Sequence, residues 1–220
     1  MTPRPLQSDR VGAPKGKATS VVVFVHGYGA NGADLLGLAD PLAPHLPNTA
    51  FYSPDAPEPC QGNPFGFQWF PIPWLDGSSE SAARAGQAQA EVDLNAFLDS
   101  VLAAEGLPPS ALALVGFSQG TMMSLSLAPT RAEPLAGVVG FSGRLLDPAR
   151  LGAAKSKPPV LLIHGDADPM VPVSSLPEAA DALAAAGFQT YTHICKGLGH
   201  SIDMQGLSLA LAFLRDRLPR

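Results

Sequence analysis

The sequence is short of charged residues, and its few basic residues are scattered. Charged side chains make up 15% of the 220 residues, with 14 Lys and Arg against 19 Asp and Glu and a net charge of −5. Nucleic acids and anionic membrane surfaces are bound by clustered positive charge, which this chain does not offer. We therefore expect no nucleic-acid partner and a small molecule as the ligand.

Long hydrophobic runs are also missing. No apolar stretch approaches the roughly 20 residues that a membrane-spanning helix requires, and residues 1–20 contain no apolar core of a signal peptide. Hydrophobic residues nevertheless make up 46% of the chain, which excludes a disordered protein. These features predict a globular cytoplasmic protein without integral membrane association.

Cysteine is nearly absent, and its two positions, Cys60 and Cys195, lie far apart. Their separation matches no cysteine-based zinc site. Two reduced thiols is the simpler interpretation, although the sequence alone leaves a disulfide between them open. We expect the protein to use neither a metal nor a cofactor.

The chain does contain a regular alternation of apolar runs and amphipathic segments. Runs typical of strands lie at 21–26, 50–53, 112–115, 135–141, 159–164 and 188–195. Segments with helical spacing lie at 35–46, where Pro41 must kink or divide the helix, and at 80–105, 121–128, 175–187 and 207–218. This alternation predicts one α/β domain over 19–220, after a flexible N-terminal arm at 1–18, with a mostly parallel sheet and helices on both faces.

Residues 54–79 are the least regular part of the chain. They interleave six prolines with the aromatic residues Phe65, Phe67, Trp69, Phe70 and Trp74. Proline at this density opposes ladders and helices, so we expect a long loop, and long loops in compact domains are usually functional. Some of these rings must pack on the core, while others are expected to form the wall of an acyl pocket.

The motif Gly-x-Ser-x-Gly at Gly116–Gly120 follows the apolar run at 112–115 and precedes a segment with helical spacing. A strand that turns sharply into a helix here would present the hydroxyl of Ser118 at the apex of a nucleophile elbow. The pattern arises by chance in roughly one chain in six of this length and composition, so it requires supporting context.

That context is a candidate acid and a candidate base on later loops. A serine hydroxyl needs an imidazole to take its proton and a carboxylate to orient the imidazole. Asp168 and His200 each follow a predicted strand, and parallel strands bring such loops to one edge of the sheet. Asp166 is the competing acid, but it lies nearer the strand end, where a turn-forming role is common. We interpret the four remaining histidines, His26, His45, His164 and His193, as structural.

Hydrolysis also requires backbone N–H groups that stabilise the negative oxygen of the tetrahedral intermediate. Gln119, directly after the nucleophile, and Tyr28, in the glycine-rich loop after the first predicted strand, are the candidates. The glycines of that loop, Gly27, Gly29 and Gly32, also match a dinucleotide-binding fingerprint. However, the next predicted strand ends in Ser53-Pro54 without the acidic residue that this fingerprint requires.

Five segments together resemble the phospholipase/carboxylesterase family of the α/β-hydrolase superfamily, which includes small bacterial carboxylesterases and acyl-protein thioesterases. They are His26-Gly27-Tyr28-Gly29, Gly116-Phe117-Ser118-Gln119-Gly120, Phe141-Ser142-Gly143, the segment from His164 to Pro172, and Gly199-His200. The resemblance extends from about Ser20 to the last helix. It implies an α/β-hydrolase fold without a large cap domain.

The resemblance further implies that Ser118 is the nucleophile, Asp168 the acid and His200 the base, with Tyr28 and Gln119 as oxyanion donors. Family members more often have Leu at the position of Tyr28, a change that a backbone donor tolerates. The similar dienelactone hydrolases use a cysteine nucleophile, which this elbow lacks.

We expect a serine carboxylesterase that hydrolyses short- to medium-chain esters through an acyl-enzyme. The aromatic loop, longer than in thioesterases, favours a narrow pocket for small esters, with Phe65, Trp69, Phe70, Trp74 and Met170 as substrate-binding residues. An acyl-protein thioesterase or lysophospholipase would use the same triad, and a non-catalytic binding protein on this fold is a remote alternative. Exposed aromatics of the loop could also serve a homodimer contact.

Overall fold

The computed structural model describes residues 1–60 and 62–219. Its centre is a seven-stranded sheet with the order β1-β3-β2-β6-β7-β8-β9, in which β1 alone is antiparallel to its neighbour. The strands are β1 (Ser8–Gly12), β2 (Ser20–Val25), β3 (Thr49–Pro54), β4 (Glu58–Cys60), β5 (Asn63–Gln68), β6 (Leu112–Phe117), β7 (Gly137–Phe141), β8 (Val160–Gly165) and β9 (Thr190–Cys195).

Seven α-helices are present among the described residues, and they cover both faces of this sheet. They are α1 (Gly32–Leu36), α2 (Ala39–Leu42), α3 (Pro73–Asp76), α4 (Glu80–Glu105), α5 (Gln119–Leu127), α6 (Ser175–Ala185) and α7 (Met204–Arg217). The predicted helix at 35–46 is divided at Gly37 and Leu38 into the short helices α1 and α2, followed by a 3-10 turn. Pro41 does not mark the break but lies in the first turn of α2, where a helix tolerates proline. None of the helices described is long and apolar enough to cross a membrane.

Successive residues of β2 point to two different cores. Val21 and Val23 join the core beneath α4, α5 and α6, whereas Val22 and Phe24 join the core beneath α1, α2 and α7. Because side chains alternate along a strand and both faces are covered, a central strand must be apolar at every position. The predicted mostly parallel sheet with helices on both faces is confirmed.

The first 18 residues differ from the predicted flexible arm. Ser8–Gly12 form the edge strand β1, which pairs with β3. The arm is tied further by the guanidinium of Arg4, 2.7 Å from the buried carboxylate of Asp93, and by that of Arg10, 2.7 Å from Glu105. A mostly exposed five-residue strand has no apolar pattern, so local sequence does not reveal these distant partners.

The predicted long loop at 54–79 is in fact structured in part. The short strands β4 and β5 form an antiparallel hairpin with an irregularity at Pro59, and α3 follows. The prolines are tolerated because a two-stranded ribbon leaves many backbone N–H groups free of ladder bonds. The hairpin is attached to the loop after β2, since Gly29 N–H donates to Phe67 O and Phe67 N–H donates to Ala30 O, at 2.9 and 2.7 Å.

Candidate active site

Ser118 lies at the sharp turn between β6 and α5. Its backbone has φ 53° and ψ −115°, a left-handed conformation that a non-glycine residue adopts only at a cost of about 1–3 kcal/mol. The two motif glycines permit this turn. A Cβ on Gly116 would lie 2.5 Å from Thr121 N, and one on Gly120 would lie 1.7 Å from Val25 O. Only glycine therefore allows α5 to pack this closely on β6 and β2.

Asp168 is hydrogen-bonded to His200. The Asp168 Oδ2 atom lies 2.7 Å from His200 Nδ1, while Oδ1 accepts the N–H groups of Met170 and Val171 at 2.8 and 2.9 Å. Burial alone would raise the pKa of Asp168, but the hydrogen bonds from Val171, His200 and Met170 hold that pKa below its usual value. The carboxylate is thus kept ionised and oriented towards the imidazole.

Asp166, the competing acid, is used elsewhere. Its Oδ1 accepts the N–H of Gly197 at 2.6 Å, which closes the turn at the end of β9. The structure therefore brings Asp168 rather than Asp166 to His200. This is the arrangement that the position of Asp166 near the strand end predicts.

His200 lies beside the elbow. Its ring packs on that of Phe117, the residue before the nucleophile, with 4.9 Å between centroids and 46° between planes. Because Nδ1 donates to the carboxylate, Nε2 is left as the proton acceptor. Within the described residues no hydrogen bond joins Ser118 Oγ to His200, a contact that in ligand-free hydrolases often tightens only with substrate.

The histidines interpreted as structural include two that are buried in hydrogen bonds. His26 is fully buried: its Nδ1 lies 2.7 Å from Gly27 O, and its Nε2 accepts the Ala56 N–H at 2.9 Å. Burial lowers the pKa of His26, so the ring stays neutral and holds the loop after β2 in place. His164 Nε2 lies 3.0 Å from Val171 O, beside the segment that holds Asp168.

The two candidate oxyanion donors flank Ser118. A Cβ on Gly27 would lie 3.2 Å from Ser118 Cβ, which places the loop containing Tyr28 directly against the nucleophile. The Tyr28 N–H has no acceptor within residues 1–60 and 62–219. The N–H of Gln119 opens α5, where a helix has no internal acceptor and a positive dipole end. Both groups are thus available to a developing negative charge.

The side chains of these two residues have a role that the sequence analysis missed. Gln119 is fully buried, and its amide accepts the Trp69 N–H at 2.9 Å and donates to Phe70 O at 2.8 Å. The Tyr28 hydroxyl donates to Asp76 at 3.5 Å, and burial raises the pKa of this phenol. The side chains of both candidate donors therefore hold the same segment, 69–76. The only sequence signal for this role is a glutamine within an otherwise small and apolar elbow.

Segment 69–76 forms one wall of a cleft of about 560 Å³, and the first half of α4 contributes to another. Phe70 and Trp74 line this cleft, together with Met122, which lies one turn along α5 from Ser118. Met122 N–H donates to Ser118 O at 3.2 Å, so the cleft begins next to the elbow.

The remaining predicted substrate-binding residues lie outside the lining of this cleft. Trp69 is 0% exposed, and its indole N–H donates to His26 O at 3.0 Å, so its ring belongs to the core. Phe65 is 83% exposed on β5, and Met170 is 52% exposed beside Asp168. Composition shows that the segment is aromatic, but only the fold shows which rings face the cleft.

No group of three His, Cys, Asp or Glu side chains in the described part of the chain is arranged to hold a metal ion. Cys60 and Cys195 are both free and buried. Burial raises the pKa of Cys195 to about 11, so this thiol stays protonated.

Comparison with known proteins agrees with this geometry. A sequence model of the family described as Phospholipase/Carboxylesterase matches residues 6–218. The chain is 30% identical over 215 residues to esterase YpfH of Escherichia coli K12, across 96% of this chain and 88% of that protein. It is 29% identical to acyl-protein thioesterase 1 of Neurospora crassa, across 92% of this chain and 88% of that protein.

Solved structures show the same architecture. The crystal structure of esterase PE8 is similar with a TM-score of 0.92 and 44% identity, across 98% of this chain and 100% of that one. Acyl-protein thioesterase 2 of Zea mays gives a TM-score of 0.76 and 27% identity, across 97% and 99%. The α/β-hydrolase fold is thereby confirmed, with no large cap among the described residues. The chain belongs to the phospholipase/carboxylesterase family of hydrolases.

Proposed function

We propose that this protein is a serine carboxylesterase that hydrolyses short- to medium-chain esters through an acyl-enzyme. The observation that carries the proposal is the 2.7 Å hydrogen bond between Asp168 and His200, beside a strained Ser118 elbow. A left-handed serine costs free energy, so its retention between a buried strand and helix supports a functional role. The family match supports esterase chemistry at this site.

The first half of the reaction forms the acyl-enzyme. Ser118 Oγ attacks the ester carbonyl carbon while His200 Nε2 takes its proton. The carbonyl oxygen becomes an oxyanion, which accepts hydrogen bonds from the N–H groups of Tyr28 and Gln119. When the intermediate collapses, the bond to the alcohol oxygen breaks, and the imidazolium donates its proton to the leaving alkoxide.

The second half repeats these steps with water. His200 takes a proton from water as the water oxygen attacks the acyl carbon. The second tetrahedral intermediate then expels Ser118 Oγ, which recovers its proton from the imidazolium. Asp168 stays ionised throughout, because its lowered pKa favours the carboxylate. Its negative charge stabilises the imidazolium in both halves.

The same site supports a second activity, the hydrolysis of acyl thioesters. Relatives of this chain include acyl-protein thioesterase 1 of Neurospora crassa, at 29% identity. A thioester carbonyl would occupy the same position against Ser118, with a thiolate as the leaving group. The open cleft of about 560 Å³ has room for a longer acyl chain than acetate.

Two kinetic measurements test the proposal. Ser118→Ala should lower kcat by about 10⁴-fold or more while the circular dichroism spectrum stays unchanged, since the nucleophile is lost but the fold is not. A profile over matched p-nitrophenyl esters and thioesters of increasing chain length should peak at short to medium esters. Hydrolysis retained in Ser118→Ala contradicts the triad, and a maximum at palmitoyl thioesters favours the thioesterase.

A further inference from the structure

We propose that the cleft beside Ser118 binds esters that carry a carboxylate, through the guanidinium groups of Arg84 and Arg144. Both residues line the cleft of about 560 Å³, from α4 and from the loop after β7. This inference rests on the proposed function, since it names the class of ester that the same nucleophile would hydrolyse.

The two residues differ from most arginines of the chain. Ion pairs with a carboxylate within 4 Å are formed by Arg4, Arg10, Arg131, Arg150 and Arg217. Arg84, Arg144 and Arg215 form none with the residues that the structure describes. Two of these three arginines without an ion pair therefore lie in one cleft, in a protein whose net charge is −5.

Arg144 is held close to the nucleophile by its neighbour. A Cβ on Gly143 would lie 3.0 Å from Ser118 O and 2.3 Å from the Cβ of Thr121, so the chain runs directly against the elbow there. Arg144 follows one Cα step later, about 3.8 Å away. Its exposed side chain extends from this point along the cleft.

The acidic side chains of the same cleft are largely engaged. Glu91 receives two hydrogen bonds from Arg150, at 2.7 and 2.8 Å. Asp147 accepts the Ala149 N–H at 3.1 Å, at the start of a 3-10 turn. Its negative charge also attracts the guanidinium of the same Arg150. Glu80 remains, in the first turn of α4. Glu91 thus neutralises Arg150, and the remaining charges of the lining, Arg84 and Arg144 against Glu80 and Asp147, sum to zero. Among the described residues, Arg84 and Arg144 are the two cations of the cleft that have no carboxylate within 4 Å.

The rest of the lining selects the shape of the ligand. Phe70, Trp74 and Met122 supply an apolar surface in the same lining as the two arginines. An ester with a short hydrocarbon chain that ends in a carboxylate matches this combination of apolar and cationic groups. A guanidinium accepts a carboxylate in a bidentate geometry. A dianionic phosphate fits less well, because Glu80 would repel its second charge.

The test compares two esters of equal length, monoethyl adipate and the isostere in which a primary amide replaces its carboxylate. The wild-type enzyme should show a kcat/KM about tenfold higher for the carboxylate ester, the size of one charge-assisted hydrogen bond. The preference should shrink in about 0.5 M salt, because exposed charges are screened. In Arg84→Gln/Arg144→Gln the ratio of the two kcat/KM values should fall to about one or two.

Arg215→Gln is the matched control, since Arg215 is also unpaired but lines a different groove beside His45 and Pro219. It should keep the wild-type ratio, and Arg144→Lys should keep only part of it, because an ammonium cannot bind bidentately. A wild-type ratio of one or below overturns the inference while the proposed function stands. A ratio that survives the double substitution also overturns it. Failure to hydrolyse either ester contradicts both proposals.

Discussion

The aromatic segment from Phe65 to Trp74 has an inner and an outer part, each with one Trp and one Phe ring, that lie in opposite environments. The inner part, Trp69 and Phe70, is buried, whereas the outer part, Phe65 and Trp74, is 83% and 63% exposed. The inner part is held by three hydrogen bonds: the Gln119 amide accepts the Trp69 N–H and donates to Phe70 O, and the Trp69 indole donates to His26 O. The outer part has no comparable bond to the elbow among the described residues. Hydrogen bonding to the elbow and to His26 O, rather than aromatic content, thus distinguishes the buried part of the aromatic segment.

The largest expected effect comes from removing the inner ring. Trp69→Ala should lower the free energy of unfolding by about 3–5 kcal/mol, because it leaves a cavity in the core. Phe65→Ala should change it by less than about 0.5 kcal/mol, since the ring is exposed. Urea denaturation of both variants measures the difference.

Trp69→Phe keeps the measurement interpretable if Trp69→Ala does not fold. It retains a ring but loses the bond to His26 O, and should be destabilised by about 1–2 kcal/mol. Equal stabilities of the Trp69 and Phe65 variants would show that the inner and outer parts do not differ as described.

A smaller effect is expected when the inner part is released from the elbow. Gln119→Met keeps the side-chain volume but leaves the Trp69 N–H and Phe70 O buried without partners, which should cost about 2–4 kcal/mol. Segment 69–76 and the turn at Ser118 should then shift. We therefore expect kcat/KM to fall at least about tenfold, although the backbone N–H at position 119 remains. Gln189→Met, at an exposed glutamine, is the control and should alter neither quantity. Normal activity in Gln119→Met would mean that segment 69–76 does not position the active site around Ser118.

The smallest effect is expected from a change at Tyr28, the other residue whose side chain holds segment 69–76. Tyr28→Phe removes only the 3.5 Å bond to Asp76, so stability should fall by less than about 1 kcal/mol. The backbone donor at position 28 is unchanged, and kcat for the shortest ester should stay within about twofold. Longer esters, which we expect to reach Trp74 of α3 in the cleft lining, should show a raised KM in a chain-length profile. A large loss of kcat for every ester would instead assign the phenol a part in the reaction.

The sharp turn at Ser118 and the pairing of Asp168 with His200 could be predicted because their determinants are local or follow from the parallel sheet. Gly116 and Gly120 are required by contacts within a few residues or with the adjacent strand, and parallel strands bring Asp168 and His200 to one edge. The predicted helix at 80–105 also agrees with α4, which begins after the Ser79 cap and ends at Gly106 in a left-handed conformation.

The features that could not be predicted depend on contacts between distant residues. Strand β1 is polar and is held by β3 and by Glu105, which is 95 residues from Arg10. Gln119 and Trp69 are 50 residues apart, so no local pattern indicates that one orients the other. For the same reason the aromatic segment does not reveal which of its rings are buried.

The central claim is that Ser118 is the nucleophile activated by His200 and Asp168. The most direct measurement is intact-mass spectrometry of the folded protein after incubation with a fluorophosphonate, followed by peptide mapping. We predict one covalent adduct on Ser118, no adduct in Ser118→Ala, and strongly slowed labelling in His200→Ala. A folded wild-type protein that remains unlabelled, or an adduct on another residue, would contradict the account.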